Sequence, residues 1–191
     1  MARKRVAVLI SGRGSNMAAL IEAAKAPDYP AEIVLVLSNR ADAAGLLTAR
    51  AAGVPAHAVG SKSKAGMETE IDRDLTDAGV DIVALAGFMR ILSAEFVRRW
   101  RGRLINIHPS LLPAFPGLDT HARALAAGVV RHGCSVHFVT EGVDEGPVIA
   151  QREIPVLRGD TPETLAARVL IEEHKLYPRA LAMVASGTAR P

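Results

Sequence analysis

The sequence has 191 residues, 49% of them apolar, which is enough for one domain with a buried core of its own. Its single cysteine, Cys134, excludes a disulfide framework and a cysteine-based zinc site, and no apolar run approaches the about 20 residues of a membrane span, so we expect a cytoplasmic protein without a membrane partner. A net charge of +3 and an aromatic content of 4% argue against nucleic-acid binding but fit small anionic ligands.

Apolar runs alternate with helix-like segments along the chain. Strands are predicted at residues 6–10, 32–38, 56–59, 81–86 and 104–107, and helices at residues 16–26, 43–52, 64–78 and about 118–127. Two further extended segments, 134–140 and 147–156, precede a long helix at 161–184 with a capping signal at 160–163. Continuous apolar strands between helices indicate an α/β fold with a parallel sheet covered on both faces. The alternation in 134–140 indicates a half-exposed strand that fits an antiparallel extension.

A glycine-rich turn, residues 11–16, lies between the first predicted strand and the first predicted helix. Its glycines allow close backbone approach, and the helix N terminus offers N–H groups to an anion. Ser15 and Asn16 add side-chain donors and can cap the helix. Position 17 is Met, no acidic residue ends the second strand and no lysine follows the turn, so the dinucleotide and P-loop motifs do not fit. A phosphate monoester is the favoured ligand, and a tight turn before a capped helix is the structural alternative.

The fifth predicted strand carries Asn106 and His108, followed by Pro109. Residues two apart on a strand share a face, and the proline places both at the carboxyl end, where open α/β sheets bind ligands. An amide N–H and an imidazole that moves protons near neutral pH are what acyl transfer requires. A histidine with a purely structural hydrogen bond is the alternative interpretation.

The loop at residues 140–147 carries three acidic residues between glycines. If Asp144 reaches His108, its carboxylate orients the ring and favours the charged form; taken alone, Asp144 fits an ordinary turn equally well. No set of histidines and carboxylates has metal-ligand spacing, so no metal site is predicted. The arginine-rich run 98–103 is interpreted as a solvated surface rather than an RNA-binding patch.

Five segments together resemble a known family. They are residues 9–16, 86–92, 105–113, 133–147 and 168–178, and they cover almost the whole chain. In this order they are similar to the phosphoribosylglycinamide (glycinamide ribonucleotide) formyltransferase family. Residues 86–147 are shared with related formyl-folate enzymes, whereas the phosphate turn and residues 168–178 select this branch. The resemblance implies one Rossmann-like domain over residues 1–191, with a phosphate-binding half at about 1–100 and a folate-binding and catalytic half at about 101–191.

The resemblance also implies an activity and a set of functional residues. The activity is transfer of the formyl group of 10-formyltetrahydrofolate, a co-substrate, to the amine of 5-phosphoribosylglycinamide in purine biosynthesis, by a monomer or homodimer. The implied catalytic residues are Asn106, His108 and Asp144. The residues implied to bind the ribonucleotide are Gly14, Ser15 and Asn16 at the phosphate and Glu173 at the ribose. The residues implied to bind folate are Lys64, Met89, Arg90, Ile91, Leu92, Asn106, Thr140, Glu141, Gly142, Val143 and Asp144. The Leu112–Pro113 bond is expected to be cis.

Three alternatives share parts of this pattern. A 10-formyltetrahydrofolate deformylase, which is a hydrolase, carries an extra amino-terminal regulatory domain, and a methionyl-tRNA formyltransferase carries a carboxy-terminal tRNA-binding domain. We expect neither domain in a chain of 191 residues. A non-catalytic phosphate-binding sensor would need the glycine-rich turn but not the three catalytic residues together. The roles of Asp119 and His121 are left open, and His57, His132 and His174 are expected to be surface or structural residues.

Overall fold

The structure is a computed structural model that describes residues 2–61 and 63–191. The strands are β1 (Lys4–Ile10), β2 (Ala31–Ser38), β3 (Ala56–Ala58), β4 (Ile82–Leu85), β5 (Leu104–His108), β6 (Arg131–Phe138) and β7 (Val148–Pro155). The helices are α1 (Ser15–Ala23), α2 (Ala44–Ala51), α3 (Lys64–Asp77), α4 (Ala94–Arg99), α5 (Thr120–Ala126) and α6 (Pro162–Ala185).

The strands form one sheet in the order β3-β2-β1-β4-β5-β6-β7. Strands β1 to β5 are parallel, whereas β6 runs antiparallel to both β5 and β7. The strand order reverses between β1 and β4, and in open α/β sheets such a reversal opens a crevice for ligands at the carboxyl ends of the strands. The predicted Rossmann-like α/β fold, with a parallel amino-terminal sheet and a mixed carboxy-terminal part, is confirmed.

Helices pack on both faces of the sheet because the parallel strands are apolar on both sides. On one face α1, α2 and α6 contribute the buried residues Leu20, Leu46 and Leu181, and α5 packs beside α6. On the other face α3 and α4 contribute Ile71 and Phe96. The two cores leave the carboxyl edge of the strands uncovered by helices, so that loops meet there.

The burial of β6 differs from the sequence prediction. We expected a half-exposed strand at residues 134–140, but every residue at 132–138 is buried. The polar face is covered because the Ser135 hydroxyl bonds to the loop that follows β5, while His137 lies against Asp144. The antiparallel direction is as predicted. Alternation of apolar and polar residues therefore marks two chemically different buried faces here.

Helix α4 was missed by the sequence prediction. It begins at Ser93, whose hydroxyl accepts the N–H of Phe96, and it is followed by the buried Trp100. Because α4 is short and leads into the arginine-rich run 98–103, its few apolar residues gave no clear helical pattern in the sequence. They lie on the surface, as predicted, and the Arg103 guanidinium stacks 4.4 Å from the centre of the Trp100 ring.

The start of α6 also differs in detail from the capping signal predicted at 160–163. The capping residue is Thr161, which exchanges hydrogen bonds with Thr164. Asp160 instead accepts hydrogen bonds from the N–H of Leu157 and from the Thr164 hydroxyl. The capping box is therefore displaced by one residue, because Asp160 closes the preceding turn.

Tyr177 connects α6 to the centre of the sheet. Its side chain is fully buried, and its hydroxyl donates to the carbonyl oxygen of Leu85, 2.8 Å away, with that of Ile105 at 3.4 Å. Burial raises the pKa of Tyr177 well above its usual value, so the hydroxyl remains a donor. The helix is thus anchored to the last residue of β4 and to the start of β5.

We expect Tyr177→Phe to lower the free energy of unfolding by about 1–3 kcal/mol, because a buried carbonyl loses its donor. Urea denaturation measures this loss. Tyr29→Phe is the control, since the half-buried Tyr29 hydroxyl also donates to a carbonyl oxygen, that of Pro178, but water can replace it. Equal losses in the two variants would contradict the anchoring role of Tyr177.

Candidate active site

The glycine-rich turn leads from β1 into α1. Gly14 is the capping residue and has φ +71°, a left-handed conformation that favours glycine. Our expectation that Ser15 and Asn16 cap the helix is wrong, because they occupy its first two positions. The first N–H groups of a helix have no partner inside it, so the backbone at Ser15 and Asn16 is placed to bind an anion.

Gly45, near the start of α2, packs against the glycine-rich turn. The sequence analysis did not identify this residue. Its N–H donates to the carbonyl oxygen of Gly12 at 3.0 Å. A Cβ at this position would lie 2.5 Å from Cδ1 of Ile10 and 3.1 Å from the carbonyl oxygen of Arg13. Only a residue without a side chain lets α2 approach so closely. A glycine inside the predicted helix at 43–52 was the one available signal.

Asn16 meets Glu173 between α1 and α6, so two of the predicted ribonucleotide-binding residues lie together. The Asn16 amide nitrogen donates to a Glu173 carboxyl oxygen at 2.6 Å. Burial raises the pKa of Glu173, and the hydrogen bond from Asn16 partly offsets this increase. The side-chain oxygen of Asn16, Oδ1, is buried without a hydrogen-bond partner among the residues that the structure describes. It is an acceptor with a hydrogen bond still to be made.

The three predicted catalytic residues meet at the carboxyl end of β5. Asn106 and His108 lie on that strand, and Asp144 lies in the loop between β6 and β7 with φ +55°. Oδ2 of Asp144 is 3.3 Å from Nδ1 of His108 and accepts the N–H of Gly117 at 2.9 Å. The His108 side chain is only 7% exposed, so this ion pair is largely shielded from water.

The electrostatics of this cluster favour a charged carboxylate. Burial alone raises the pKa of Asp144, but hydrogen bonds from His137 and the Gly117 N–H and the nearby charge of His108 outweigh burial and lower it. Asp144 is therefore an anion next to an imidazole. This arrangement orients the His108 ring.

His137 is a further buried member of the site that sequence reasoning treated only as part of an alternating strand. Its Nδ1 donates to the carbonyl oxygen of Phe138 at 2.9 Å. Its Nε2 lies 3.2 Å from the Asn106 amide nitrogen and 3.5 Å from an Asp144 oxygen. A neutral His137 accepts from Asn106 at Nε2, whereas a protonated one donates to Asp144. One nitrogen makes only one of these two hydrogen bonds at a time, so His137 holds Asn106 when it is neutral and Asp144 when it is protonated.

The loop after β5 closes over His108. Nε2 of His108 is 3.0 Å from the carbonyl oxygen of Phe115. The Leu112–Pro113 bond in this loop is cis, as expected. Ser135 holds the same loop, because its hydroxyl accepts from the N–H of Leu112 and donates to the carbonyl oxygen of Ser110. Both ring nitrogens of His108 therefore have partners.

Two neighbouring histidines have a structural role. His132 is 1% exposed, and its Nε2 lies 3.1 Å from Nδ1 of His121. Burial, helped by the charge of His121, lowers the pKa of His132 to about 4, so it is neutral near pH 7. This agrees with the structural role expected for His132, and it shows that His121, whose role was left open, is its hydrogen-bond partner.

The segment that follows β4 is predicted to bind folate. It consists of Met89, Arg90, Ile91 and Leu92. Met89 and Ile91 are 63% and 73% exposed, so their apolar side chains are accessible to a ligand. At the end of the segment, Ser93 donates its N–H and its hydroxyl to Glu68 on α3.

The other predicted folate-binding residues lie on separate elements. Thr140, Glu141, Gly142 and Val143 form the loop that also carries Asp144. Glu141 pairs with Arg98 of α4 at 3.5 Å, and Val143 is 54% exposed. Lys64 is the exposed first residue of α3, one helical turn before Glu68.

A cleft of about 520 Å³ opens at the carboxyl edge between the phosphate turn and this segment. Its lining includes Ser11, Asn39, Gly87, Met89 and Arg90. Within residues 2–61 and 63–191 no group of three or more His, Cys, Asp or Glu side chains is placed to hold a metal ion. No helix in the same ranges is both long and apolar enough to cross a bilayer.

The fold is that of a formyl transferase. Residues 4–181 match the model of the formyl transferase family, and the chain belongs to that family. It is 47% identical over 185 residues to the phosphoribosylglycinamide formyltransferase of Escherichia coli (strain K12), with 95% of this chain and 87% of that protein covered. The crystal structure of phosphoribosylglycinamide formyltransferase from Brucella melitensis has 55% identity and a TM-score of 0.92 over 96% of each chain. The resemblance indicated by the five sequence segments is confirmed.

Some relatives are much longer than this chain. The trifunctional purine biosynthetic protein adenosine-3 of Bos taurus is 53% identical over 191 residues, which are 98% of this chain but only 19% of that protein. The chain therefore spans about a fifth of the length of that relative.

We expect Gly45→Ala to weaken the binding of inorganic phosphate about tenfold, because the added Cβ displaces the turn, and overpacking of this kind typically costs about 1–3 kcal/mol. Calorimetric titration with phosphate measures the change. Gly60→Ala is the control, since a Cβ there meets only a Glu70 oxygen, 4.0 Å away. Unchanged phosphate affinity in Gly45→Ala would show that the turn does not depend on α2.

Proposed function

We propose that the protein transfers the formyl group of 10-formyltetrahydrofolate to the amine of 5-phosphoribosylglycinamide, a step of purine biosynthesis. The observation that carries the proposal is the meeting of Asn106, His108 and Asp144 at the carboxyl edge of the sheet, which the glycine-rich turn and the exposed apolar segment share. The similarity to phosphoribosylglycinamide formyltransferases supports the same substrates.

The ribonucleotide side of the site is the junction of α1 and α6. The phosphate would accept hydrogen bonds from the backbone at Gly14, Ser15 and Asn16, where the helix dipole favours negative charge. Glu173 would accept a hydrogen bond from a ribose hydroxyl. The unpartnered side-chain oxygen of Asn16, Oδ1, is a second acceptor close by. Binding at these groups would direct the glycinamide amine along the carboxyl edge toward β5.

The folate side would be formed by the segment at 89–92 and the loop at 140–144, with Lys64 near the carboxylates of the folate tail. The exposed side chains of Met89 and Ile91 would cover the apolar part of the pterin, and the backbone would bind its polar edge. With the folate bound in this way, its formyl group would lie at Asn106 and His108 and face the amine of the ribonucleotide.

Transfer would proceed by direct attack. The neutral amine nitrogen attacks the formyl carbon, the carbon–oxygen π electrons move to oxygen, and a tetrahedral intermediate forms. The Asn106 amide and protonated His108 would donate to this oxyanion, with Asp144 stabilising the charge on His108 through Nδ1. In the present structure Nε2 of His108 is hydrogen-bonded to the carbonyl oxygen of Phe115. The formyl oxygen would have to replace that carbonyl oxygen as the acceptor.

Collapse of the intermediate completes the transfer. The bond between the formyl carbon and N10 of folate breaks, and its electron pair returns to N10. One proton passes from the attacking nitrogen to N10, and Asp144 would assist this transfer directly or through a water molecule. No covalent enzyme intermediate is required. Burial raises the pKa of the Cys134 thiol to about 12, which makes it a poor nucleophile.

The alternative activity is hydrolysis of 10-formyltetrahydrofolate, in which water replaces the amine. A spectrophotometric assay of tetrahydrofolate formation separates the two activities. We expect product only when 5-phosphoribosylglycinamide is present, because the turn and Glu173 recognise the acceptor. Equal product formation without the ribonucleotide would establish a deformylase, and no product in either case would leave a phosphate-binding sensor.

We expect His108→Ala and Asp144→Asn each to lower kcat at least about 100-fold, because removing one oxyanion donor typically costs 100- to 1,000-fold in rate. Binding of inorganic phosphate should change little, since both residues lie away from the turn. Steady-state kinetics and phosphate titration measure the two effects. Asp119→Asn is the matched control: it removes an exposed carboxylate nearby, and asparagine accepts the φ of +56° at this position. A wild-type kcat in Asp144→Asn would rule out the proposed mechanism.

A further inference from the structure

The segment at 89–92 has no regular secondary structure, although it must hold a rigid pterin ring if the proposed function is correct. Two of its residues are among the most exposed apolar side chains of the described chain. Its position therefore depends on its two ends. Each end is fixed by a polar side chain from another element: Ser11 at the start and Glu68 at the end.

The first anchor is a hydroxyl at the end of β1. The backbone N–H of Met89 donates to Oγ of Ser11 at 2.7 Å, and the Ser11 hydroxyl in turn donates to Oδ1 of Asn39. The Ser11 N–H also donates to the carbonyl oxygen of Gly87 at 3.1 Å. Ser11 is 7% exposed, so water does not easily replace it. One residue thus connects the ends of β1, β2 and β4.

The second anchor is a buried carboxylate on α3. Glu68 is 9% exposed, and its oxygens accept the N–H of Ser93, at 2.6 Å, and the Ser93 hydroxyl. Hydrogen bonds to a charged acceptor are about twice as strong as neutral ones. The chain between Met89 and Ser93 is therefore held at both ends by hydrogen bonds to side chains of other parts of the fold.

We propose that Ser11 and Glu68 are positioning residues that set the geometry of the folate-binding segment through their hydrogen bonds to Met89 and Ser93. The inference rests on the proposed function for the identity of the ligand. Ser11 is also the first residue of the glycine-rich turn and lies three residues before Gly14, the first residue proposed to contact the phosphate. Asn39 contributes indirectly, because its carbonyl oxygen directs the Ser11 proton away from Met89 and leaves a lone pair for the Met89 N–H.

The first test needs no substrate. We expect Ser11→Ala to increase amide hydrogen exchange at Met89 about tenfold, because the N–H loses its acceptor, whereas exchange in the β1 core stays unchanged. Hydrogen-exchange mass spectrometry measures both. Asn39→Ala should give a smaller increase, and Asn39→Asp, which keeps an acceptor, should restore slow exchange. Unchanged exchange at Met89 in Ser11→Ala would overturn the anchoring role even if the proposed activity is correct.

The second test connects the anchors to ligand binding. We expect Ser11→Ala and Glu68→Gln each to raise the Kd for tetrahydrofolate and the KM for 10-formyltetrahydrofolate about 3- to 10-fold, as the loss of one hydrogen bond predicts. The Kd for inorganic phosphate should change less than about twofold, since the turn keeps its own hydrogen bonds. Calorimetry and steady-state kinetics provide these values. Thr48→Ala is the control, because this exposed hydroxyl bonds only within α2.

The two tests separate the possible failures. If wild-type protein forms no product from 10-formyltetrahydrofolate and the ribonucleotide, the proposed function is wrong, while the exchange result still decides whether Ser11 holds Met89. If wild-type protein is active and both variants bind tetrahydrofolate with unchanged Kd, the positioning role is wrong. Parallel weakening of phosphate and tetrahydrofolate would indicate general loss of structure and would also refute a specific role.

Discussion

The site depends on the register of three parallel strands. Leu9 of β1 pairs with Leu85 of β4, and Leu85 pairs with Asn106 of β5. These three residues therefore form one row across the sheet. Two residues beyond this row lie Ser11 and His108, at the carboxyl edge. Because the strands run in one direction, the glycine-rich turn, the proposed folate-binding segment and the proposed catalytic pair all lie at this edge, at the reversal of strand order where open α/β sheets bind ligands.

The antiparallel part of the sheet brings the carboxylate of Asp144 to this edge. Cross-strand pairing places His137 of β6 opposite Asn106 of β5. The chain then leaves β6 beside the amino end of β5, so the following loop has to return before its carboxylate reaches the catalytic pair. Asp144 makes this return in a left-handed conformation, with φ +55°, and its own backbone geometry is held by the hydrogen bonds that its carboxylate accepts.

The sequence was informative wherever the signal is local. Strand alternation was enough to place Asn106 and His108 on one face, and apolar runs between helices were enough for the parallel sheet. His137 and Gly45 could not be found in this way, because the role of each depends on a partner distant in sequence, namely Asp144 and the glycine-rich turn. The capping role expected for Asn16 failed for the same reason, since its side chain finds Glu173 on α6. Local patterns predict the elements, whereas tertiary contacts decide what buried polar residues do.

The hydrogen bonds at His108 and Asn16 determine how the two substrates would contribute binding free energy. At His108 the formyl oxygen would replace the Phe115 carbonyl oxygen, so one hydrogen bond is exchanged for another and little net free energy is gained until charge develops on the oxygen. At Asn16, in contrast, a buried acceptor has no partner among the described residues, and a ligand hydroxyl would add a new hydrogen bond there. Affinity would therefore come from the ribonucleotide side, remote from the reacting atoms. The interactions at His108 would be realised mainly in the transition state, which is the distribution that raises kcat rather than only lowering KM.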